Sequence, residues 1–257
     1  MWCVGGAVCG CAPAPAPQAP SAEPSAAPSA AASVAPSASA LNGFRLEALP
    51  VAAASASSAP LSFEEPLLGD VLDAKAARSK PVRLRASAQS EVLLSLDGRR
   101  PRRFRSDRAW ALSDLVSPDE ELSVGQHLLL AVPLASDGRA LRAPGAALVG
   151  FFVGVRPTTL GPFPPPSLFC LSPSGTSYGP AEEPLLLDVL GFGLADSRAT
   201  LHILAAGRAA ELPFELSSAQ RLYGVPHGDV RLRLAVTGGP STECVVTRNP
   251  APPEARP

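Results

Sequence analysis

The chain has 257 residues, with 22 Lys and Arg residues against 23 Asp and Glu residues and a formal net charge of −1. A charge this close to balance lacks the basic field that attracts nucleic acid, so the sequence predicts no nucleic-acid partner. No run of about 18 apolar residues is present, which excludes a membrane-spanning helix.

The N-terminal residues lead to a cysteine that resembles the lipidated cysteine of bacterial lipoproteins. Val8, Cys9, Gly10 and Cys11 fill the places of the lipobox, in which an aliphatic, a variable and a small residue precede the modified cysteine. The resemblance implies that residues 1–11 are a lipoprotein-type signal and that Cys11 is lipidated. No Lys or Arg precedes this cysteine, so we expect an upstream start to supply the basic region of the signal. The alternative is a cytosolic N-terminus with incidental cysteines.

Residues 12–60 form a tract of Ala, Pro and Ser that carries only Glu23, Arg45 and Glu47 as charged residues. This composition cannot bury enough apolar surface to offset the conformational entropy of folding, so the sequence predicts a disordered tether. Its reach runs from about 40 Å as a coil to about 150 Å as polyproline II. No structure is predicted for the weak apolar segment at residues 41–51.

The remaining residues show the period of β-strands rather than that of helices. Residues 230–236 alternate apolar side chains with arginines, which predicts a half-buried strand. Residues 92–96 alternate in the same way and end at Asp97-Gly98, a hairpin-turn signal. Residues 128–132 are apolar at every position, which predicts a central strand covered on both faces. Further strands are predicted at residues 82–86, 148–155, 185–190, 200–204 and 244–247.

The two halves of this region repeat one order of strands and turns. In each half a strand and a turn are followed by an irregular segment, and a glycine, Gly125 or Gly228, then precedes the next strand. The sequence therefore predicts a mostly β chain with two small antiparallel β-sandwich modules of immunoglobulin-like type. Their ranges are residues 61–156 and 157–250, followed by a disordered tail at residues 251–257.

Three segments of the second half carry a resemblance to a protein family. LFCLSPSGTSYG at residues 168–179, LLLDVLGFGL at 185–194 and GVPHGDVRLRLAV at 224–236 resemble a recurring pattern of uncharacterised envelope lipoproteins from high-GC Gram-negative bacteria. LLSLDGRRPRRF at residues 93–104 and LSVGQHLLLAVPLASDG at residues 122–138 resemble the same proteins more weakly. The resemblance implies a β-sandwich body on an anchored tether, and it assigns no functional residue.

The usual sequence motifs of catalysis and cofactor binding are missing from the chain. It contains no phosphate-binding glycine loop, no nucleophile elbow and no HExxH zinc motif. His127, His202 and His227 are far apart, so neither a metal nor a cofactor is predicted. We expect His127 and His227 to occupy solvated turns beside the repeated glycine. We expect Asp188 to satisfy backbone groups at a strand end.

An arginine run follows the Asp97-Gly98 turn. It comprises Arg99, Arg100, Arg102, Arg103, Arg105 and Arg108. Guanidinium groups pair bidentately with carboxylates and phosphates, so one hypothesis is a contact for an anionic glycan or another anionic envelope component. The alternative is a solvated strand and loop that is balanced by nearby acids, such as Asp107, Asp119, Glu120 and Glu121.

Cys170 and Cys244 are the only cysteines of the predicted folded body, and we expect them to form a disulfide. An exported protein meets an oxidising compartment in which such pairs form and persist. The two cysteines lie in the first and last predicted strands of the second module. These strands often run beside each other in an immunoglobulin-like sandwich. The alternative is two separate buried thiols.

Together these features predict a non-enzymatic lipoprotein that is held in the outer membrane by its lipid and presents its modules for binding or structural interaction. The periplasmic and surface faces of that membrane both stay open, and the expected partners are an envelope protein or an anionic glycan. Two other classes also stay open. One is an intracellular interaction protein with a disordered N-terminus, and the other is a secreted β-sandwich hydrolase, which needs two carboxylates about 5–10 Å apart.

Overall fold

The computed structural model describes residues 40–50, 60–86, 91–135, 138–142, 145–158, 161–194 and 198–250, all of which belong to one compact unit. Strands dominate these residues, together with two short 3₁₀ helices at Ala77–Ser79 and Leu112–Leu115. None of the helices described is long and apolar enough to cross a membrane. The predicted signal, most of the predicted tether and the predicted tail lie outside the described residues.

The strands fall into two groups along the chain. The first group is β1 (Ala40–Leu41), β2 (Phe44–Ala48), β3 (Ser62–Glu65), β4 (Val71–Leu72), β5 (Pro81–Arg85), β6 (Glu91–Leu96), β7 (Arg102–Arg105), β8 (Trp110–Ala111), β9 (Gly125–Pro133) and β10 (Ala147–Val153). The second group is β11 (Ser167–Ser172), β12 (Gly175–Tyr178), β13 (Leu185–Phe192), β14 (Arg198–Ala205), β15 (Arg208–Glu215), β16 (Gln220–Tyr223), β17 (Gly228–Ala235) and β18 (Ser241–Asn249). The mostly β fold class predicted from the sequence is confirmed.

Strands β3 to β10 form the first sandwich, which we call module 1. One sheet has the strand order β4-β10-β9-β6-β7, and the other has the order β3-β5-β8. Val92, Leu94, Leu129 and Phe151 are fully buried in the core of this module. Because successive side chains of a strand point to opposite faces, the alternating apolar positions are the ones that enter this core.

Strands β11 to β18 repeat the topology of module 1, and together with β1 and β2 they form module 2. The sheet β12-β18-β17-β14-β15 matches the larger sheet of module 1 strand for strand, and β11, β13 and β16 correspond to β3, β5 and β8. Each module has one parallel pair at a sheet edge, β4 with β10 and β12 with β18. The fold is therefore one sandwich topology used twice, with antiparallel pairing between the other described neighbours in each sheet.

The contrast between β9 and β17 shows how the sequence sets which sheet faces are covered. In β17 the apolar positions are buried, whereas Arg231 and Arg233 are exposed on the outer face. At the equivalent outer positions of β9, Leu130 and Val132 are fully buried. They pack against module 2, so the prediction of a strand covered on both faces is confirmed.

The turn between β6 and β7 forms where the sequence predicts it. Asp97 and Gly98 both have positive φ values, 54° and 71°, as a type I′ hairpin turn requires. The Arg99 amide closes the turn by donating to the Leu96 carbonyl at 2.9 Å. Glycine takes this backbone conformation without a steric penalty, and aspartate is one of the few other residues that tolerate it.

The segment before module 1 departs from the predicted tether. β2 pairs with β16 of module 2, with Leu46 opposite Leu222, and Phe44 is fully buried in the core of that module. The prediction of disorder up to residue 60 is therefore wrong for β2. Its apolar residues alternate with Arg45 and Glu47, so this short strand has one apolar face and one charged face.

Cys170 and Cys244 form a disulfide with their Cα atoms 5.8 Å apart, as the sequence predicts. The two strands, β11 and β18, contact each other as predicted, although they belong to different sheets of module 2. The bond therefore crosses between the sheets instead of joining neighbouring strands of one sheet. Both cysteines are buried among the apolar residues of this core.

Candidate functional site

The two modules meet through the outer faces of two sheets. Leu130 and Val132 of β9 form an apolar cluster with Phe169, Leu171 and Leu190 of module 2, and all five are buried. Complete burial of such a side chain contributes about 1.5–3 kcal/mol relative to exposure. The contact therefore favours one relative position of the two modules.

The segment that connects the modules is also packed onto module 1. The ring of Phe163 stacks on that of Phe152, with centroids 5.0 Å apart. The same ring lies over Gly150, where an added Cβ atom would approach the Phe163 ring to within 2.5 Å. A glycine at this position lets the aromatic ring lie directly on the β10 backbone, and this holds the connecting segment on module 1 at Phe163.

A buried ion pair crosses the junction between the modules. Arg142 pairs with Asp188 of β13, and the two side chains are only 10% and 6% exposed. Arg142 Nη1 also donates to the carbonyl oxygens of Val189 at 3.0 Å and Leu216 at 2.5 Å. Burial raises the pKa of the Asp188 carboxyl, against the opposing effect of the Arg142 charge. The expectation that Asp188 satisfies backbone groups at a strand end is wrong, because it lies within β13 and balances a cation.

Strand alternation divides the predicted arginine run between the two faces of β7. Arg103 lies opposite Leu93, whose side chain packs against the cluster between the modules. Phe104 lies opposite Val92 and packs against the core of module 1. Because side chains alternate along a strand, Arg103 and Arg105 share the face toward module 2, and Arg102 lies on the other face.

Most of these arginines have partners close by. The pairs are Arg99 with Glu120, Arg102 Nη1 with the Asp114 carbonyl at 2.6 Å, Arg103 with Glu91 at 3.9 Å and Arg105 with Asp107 at 3.0 Å. Exposed pairs of this kind contribute little to stability, about 0–1 kcal/mol each. Local pairing thus accounts for much of the run, and the hypothesis that all six arginines bind one anion remains a prediction.

A crevice of about 350 Å³ lies where the arginine run meets module 2. Arg100 and Arg103 line it together with Arg139, which comes from the segment after β9. Module 2 contributes Ser172 and Ser174. Arg99, Arg102, Arg105 and Arg108 are not among the lining residues, so only two members of the predicted run reach this crevice.

His127 is buried in module 1 and does not occupy the solvated turn expected from the sequence. Its side chain is 2% exposed, and its Nδ1 lies 2.7 Å from Asp97 Oδ2. Its Nε2 lies 2.7 Å from the carbonyl oxygen of Ser123. Both ring nitrogens therefore face hydrogen-bond acceptors, which only the doubly protonated imidazolium can satisfy at once. The expectation is met for His227, which is exposed and contacts the Gly179 carbonyl at 3.1 Å.

We expect the free energy of unfolding to fall as the pH rises above neutrality, because His127 then loses a proton. Burial by itself lowers the pKa of His127, and the nearby Arg99 charge acts in the same direction. The hydrogen bonds to Asp97 and Ser123 and the Asp97 charge raise this pKa to a net value above the ordinary one. A raised pKa stabilises the fold fully below about pH 6.5, and this contribution is lost as the pH passes the folded-state pKa.

Urea unfolding of the wild type and of His127→Gln between about pH 6 and pH 9 measures this effect. Each unit by which the pKa is raised corresponds to about 1.4 kcal/mol. The difference in stability between the two proteins should shrink as the pH rises. His202→Gln is the matched control, since His202 is only partly buried on β14. A constant difference across the range would show that folding does not raise the pKa of His127.

Two further questions raised by the sequence concern metal binding and the lipidation of Cys11. Among the described ranges, no group of three or more His, Cys, Asp or Glu side chains is placed to hold a metal ion. The predicted lipidation site Cys11 lies outside the described residues. The crevice at the junction is a pocket of the described structure to which both modules contribute lining residues.

No protein-family model matches the chain, and no curated protein matches its sequence. Among solved structures, the fibronectin(III)-like modules of Clostridium thermocellum CbhA align with 77% of this chain and 98% of theirs, at 15% identity and a TM-score of 0.27. Neural ectodermal development factor IMP-L2 aligns over 77% of this chain and 97% of its own, at 9% identity and a TM-score of 0.30. Parabacteroides merdae β-glucuronidase aligns over 73% of this chain and 24% of the enzyme, at 12% identity and a TM-score of 0.25.

Proposed function

We propose that the protein is a non-enzymatic lipoprotein of the bacterial cell envelope. Its lipid-modified Cys11 holds it in the outer membrane, and the Ala/Pro/Ser-rich tract carries its two modules away from that surface. The modules act as a single binding or structural unit, which presents the junction and its crevice to an envelope component.

The junction between the modules is the observation that carries this proposal. An apolar cluster and a buried ion pair join the modules at separate points, and a stacked aromatic pair holds the connecting segment on module 1. Two independent modules on a flexible connection would need none of these contacts. A binding surface formed by both modules needs a fixed geometry, because ordering a mobile surface on binding would cost free energy.

Two further features support a location in the envelope. Cys170 and Cys244 are disulfide-bonded, and such bonds persist in the periplasm and at the cell surface rather than in a reducing cytosol. The residues before Cys11 fit the lipobox, and one acyl chain alone binds a membrane only weakly. The two or three chains of a bacterial lipoprotein would anchor the protein stably, as the proposal requires.

Changing Cys11 to serine should move the protein from the membrane fraction to the soluble fraction. Serine has no thiol for lipid attachment, and the loss of two or more acyl chains removes most of the membrane affinity. Cell fractionation and detergent phase partitioning measure the change, together with the intact mass of the mature N-terminus. Cys9→Ser is the matched control and should remain in the membrane. A Cys11→Ser protein that fractionates like the wild type would rule out this anchor.

A further inference from the structure

We propose that the crevice between the modules binds an acidic sugar, with its arginines holding the carboxylate or phosphate group of that sugar. This inference deepens the proposed binding role and rests on it, although it does not depend on the lipid anchor. Arg100, Arg103 and Arg139 line the crevice from module 1, and Ser172 and Ser174 line it from module 2. A ligand bound there would contact both modules.

The charge balance of the crevice favours an anion. Its lining includes three arginines and one acid, Asp188. Arg142, which is not among the lining residues, already pairs with Asp188, so this acid is engaged elsewhere. Glu91 approaches Arg103 only to 3.9 Å, and both of these side chains are more than 60% exposed. Arg100 and Arg103 therefore give the described wall of the crevice positive charge that Asp188 does not offset.

Arg100 is the residue in the best position to hold an anion. Its guanidinium lies against the module 2 backbone at Gly175, where an added Cβ atom would be 2.7 Å from Cζ. This close approach places the cation across the junction. Among the described residues, no carboxylate or carbonyl oxygen makes an ion pair or a hydrogen bond with it. An arginine held this way keeps its donors available for a carboxylate or a phosphate, which a planar guanidinium can bind bidentately.

The rest of the lining suits a sugar better than a bare inorganic anion. Leu93, Pro101, Leu171 and Leu186 form the apolar part of the wall. The serine hydroxyls of module 2 add polar groups that can exchange hydrogen bonds with sugar hydroxyls. A volume of about 350 Å³ is at the small end of the range for ligand pockets. The C–H face of a sugar ring can cover the apolar wall, whereas free phosphate would leave it unused.

Isothermal titration of the full-length Cys11→Ser chain at low ionic strength tests this site. The probes are trigalacturonate, which carries carboxylates, mannose phosphate, which carries a phosphate, and maltotriose as a neutral control. At least one acidic probe should bind more tightly than maltotriose, and the stronger of the two identifies the anionic group. Binding should weaken as salt is raised toward about 0.15 M, because screening reduces the attraction.

Arg100→Gln should weaken binding of the acidic probe by about tenfold, since it removes the charge and the fork of the guanidinium. Arg108→Gln is the matched control, because it removes the same charge from the same run outside the crevice, and it should change affinity less than about twofold. Equal losses for both variants would overturn the proposal in favour of general charge attraction. Equal binding of all three probes to the unsubstituted chain would also overturn it. Either result leaves the Cys11 fractionation test unaffected.

Discussion

Replacing Arg142 with leucine should lower the free energy of unfolding by about 3–5 kcal/mol at neutral pH, the loss typical of breaking a buried ion pair. The substitution leaves Asp188, only 4% exposed, without its cation. It also removes the donor to the Val189 and Leu216 carbonyl oxygens. Urea unfolding at neutral pH measures the loss. Part of the stability should return at lower pH, because protonation removes the buried charge of Asp188.

Two further variants separate the free energy lost by leaving a buried charge without its partner from the free energy lost with the contact itself. Arg85→Leu removes an arginine that pairs with Glu64 at 3.0 Å on the surface, and it should cost less than about 1 kcal/mol. The double variant Arg142→Leu/Asp188→Leu should recover much of the loss, since apolar replacement of both partners leaves no buried charge. If Arg142→Leu is no more damaging than Arg85→Leu, the ion pair does not hold the modules together.

Replacing Phe44 with alanine should cost about 3–5 kcal/mol, as large-to-small changes of buried aromatic residues usually do. Phe44 is fully buried in module 2, and the guanidinium of Arg208 lies 4.7 Å from its ring. The loss should appear in urea unfolding. Hydrogen exchange should also accelerate in β16, which pairs with β2, while the strands of module 1 keep their protection.

Arg45→Ala is the control for this variant, because it lies on the same strand with a side chain 41% exposed. Its contacts are the Glu47 carboxylate at 3.2 Å and the Tyr223 ring at 4.0 Å. Surface ion-pair and cation–π contacts of this kind are worth about 1 kcal/mol or less. Equal effects of Phe44→Ala and Arg45→Ala would show that β2 is not part of the core of module 2.

The strands could be predicted because apolar and polar residues alternate along many of them in both modules. The Asp97-Gly98 turn was equally readable, since two successive positive φ values need such residues. β2 was missed because it has only five residues within a tract of Ala, Pro and Ser. Its alternation is visible in hindsight, but its partner β16 lies more than 170 residues further along the chain.

The buried polar groups were harder to predict than the strands. His127 and Leu129 are two residues apart on β9, so their side chains lie on the same face, and Leu129 faces the core of module 1. This spacing is the feature of the sequence that could have predicted the burial of His127. Asp97 makes the burial of His127 possible, because the pairing of β6 with β9 brings Asp97 Oδ2 within 2.7 Å of His127 Nδ1. Arg142 and Asp188 likewise meet through packing between modules, which no local pattern encodes. The arginine run was visible in the sequence, but the crevice was not, because it forms only where Arg100 and Arg103 meet module 2.

The position of β2 also makes module 2 discontinuous along the chain. During synthesis β2 is made first, and the whole of module 1 follows before β16 exists. Module 1 can therefore complete its own sheets early, whereas β2, which can pair with β1 at once, must wait for β16 until nearly the entire chain has emerged. Contacts between such distant segments form slowly, because a long loop must be closed before they are gained. A fragment cut between the modules at residue 157 would keep module 1 intact and leave module 2 with an open edge at β16.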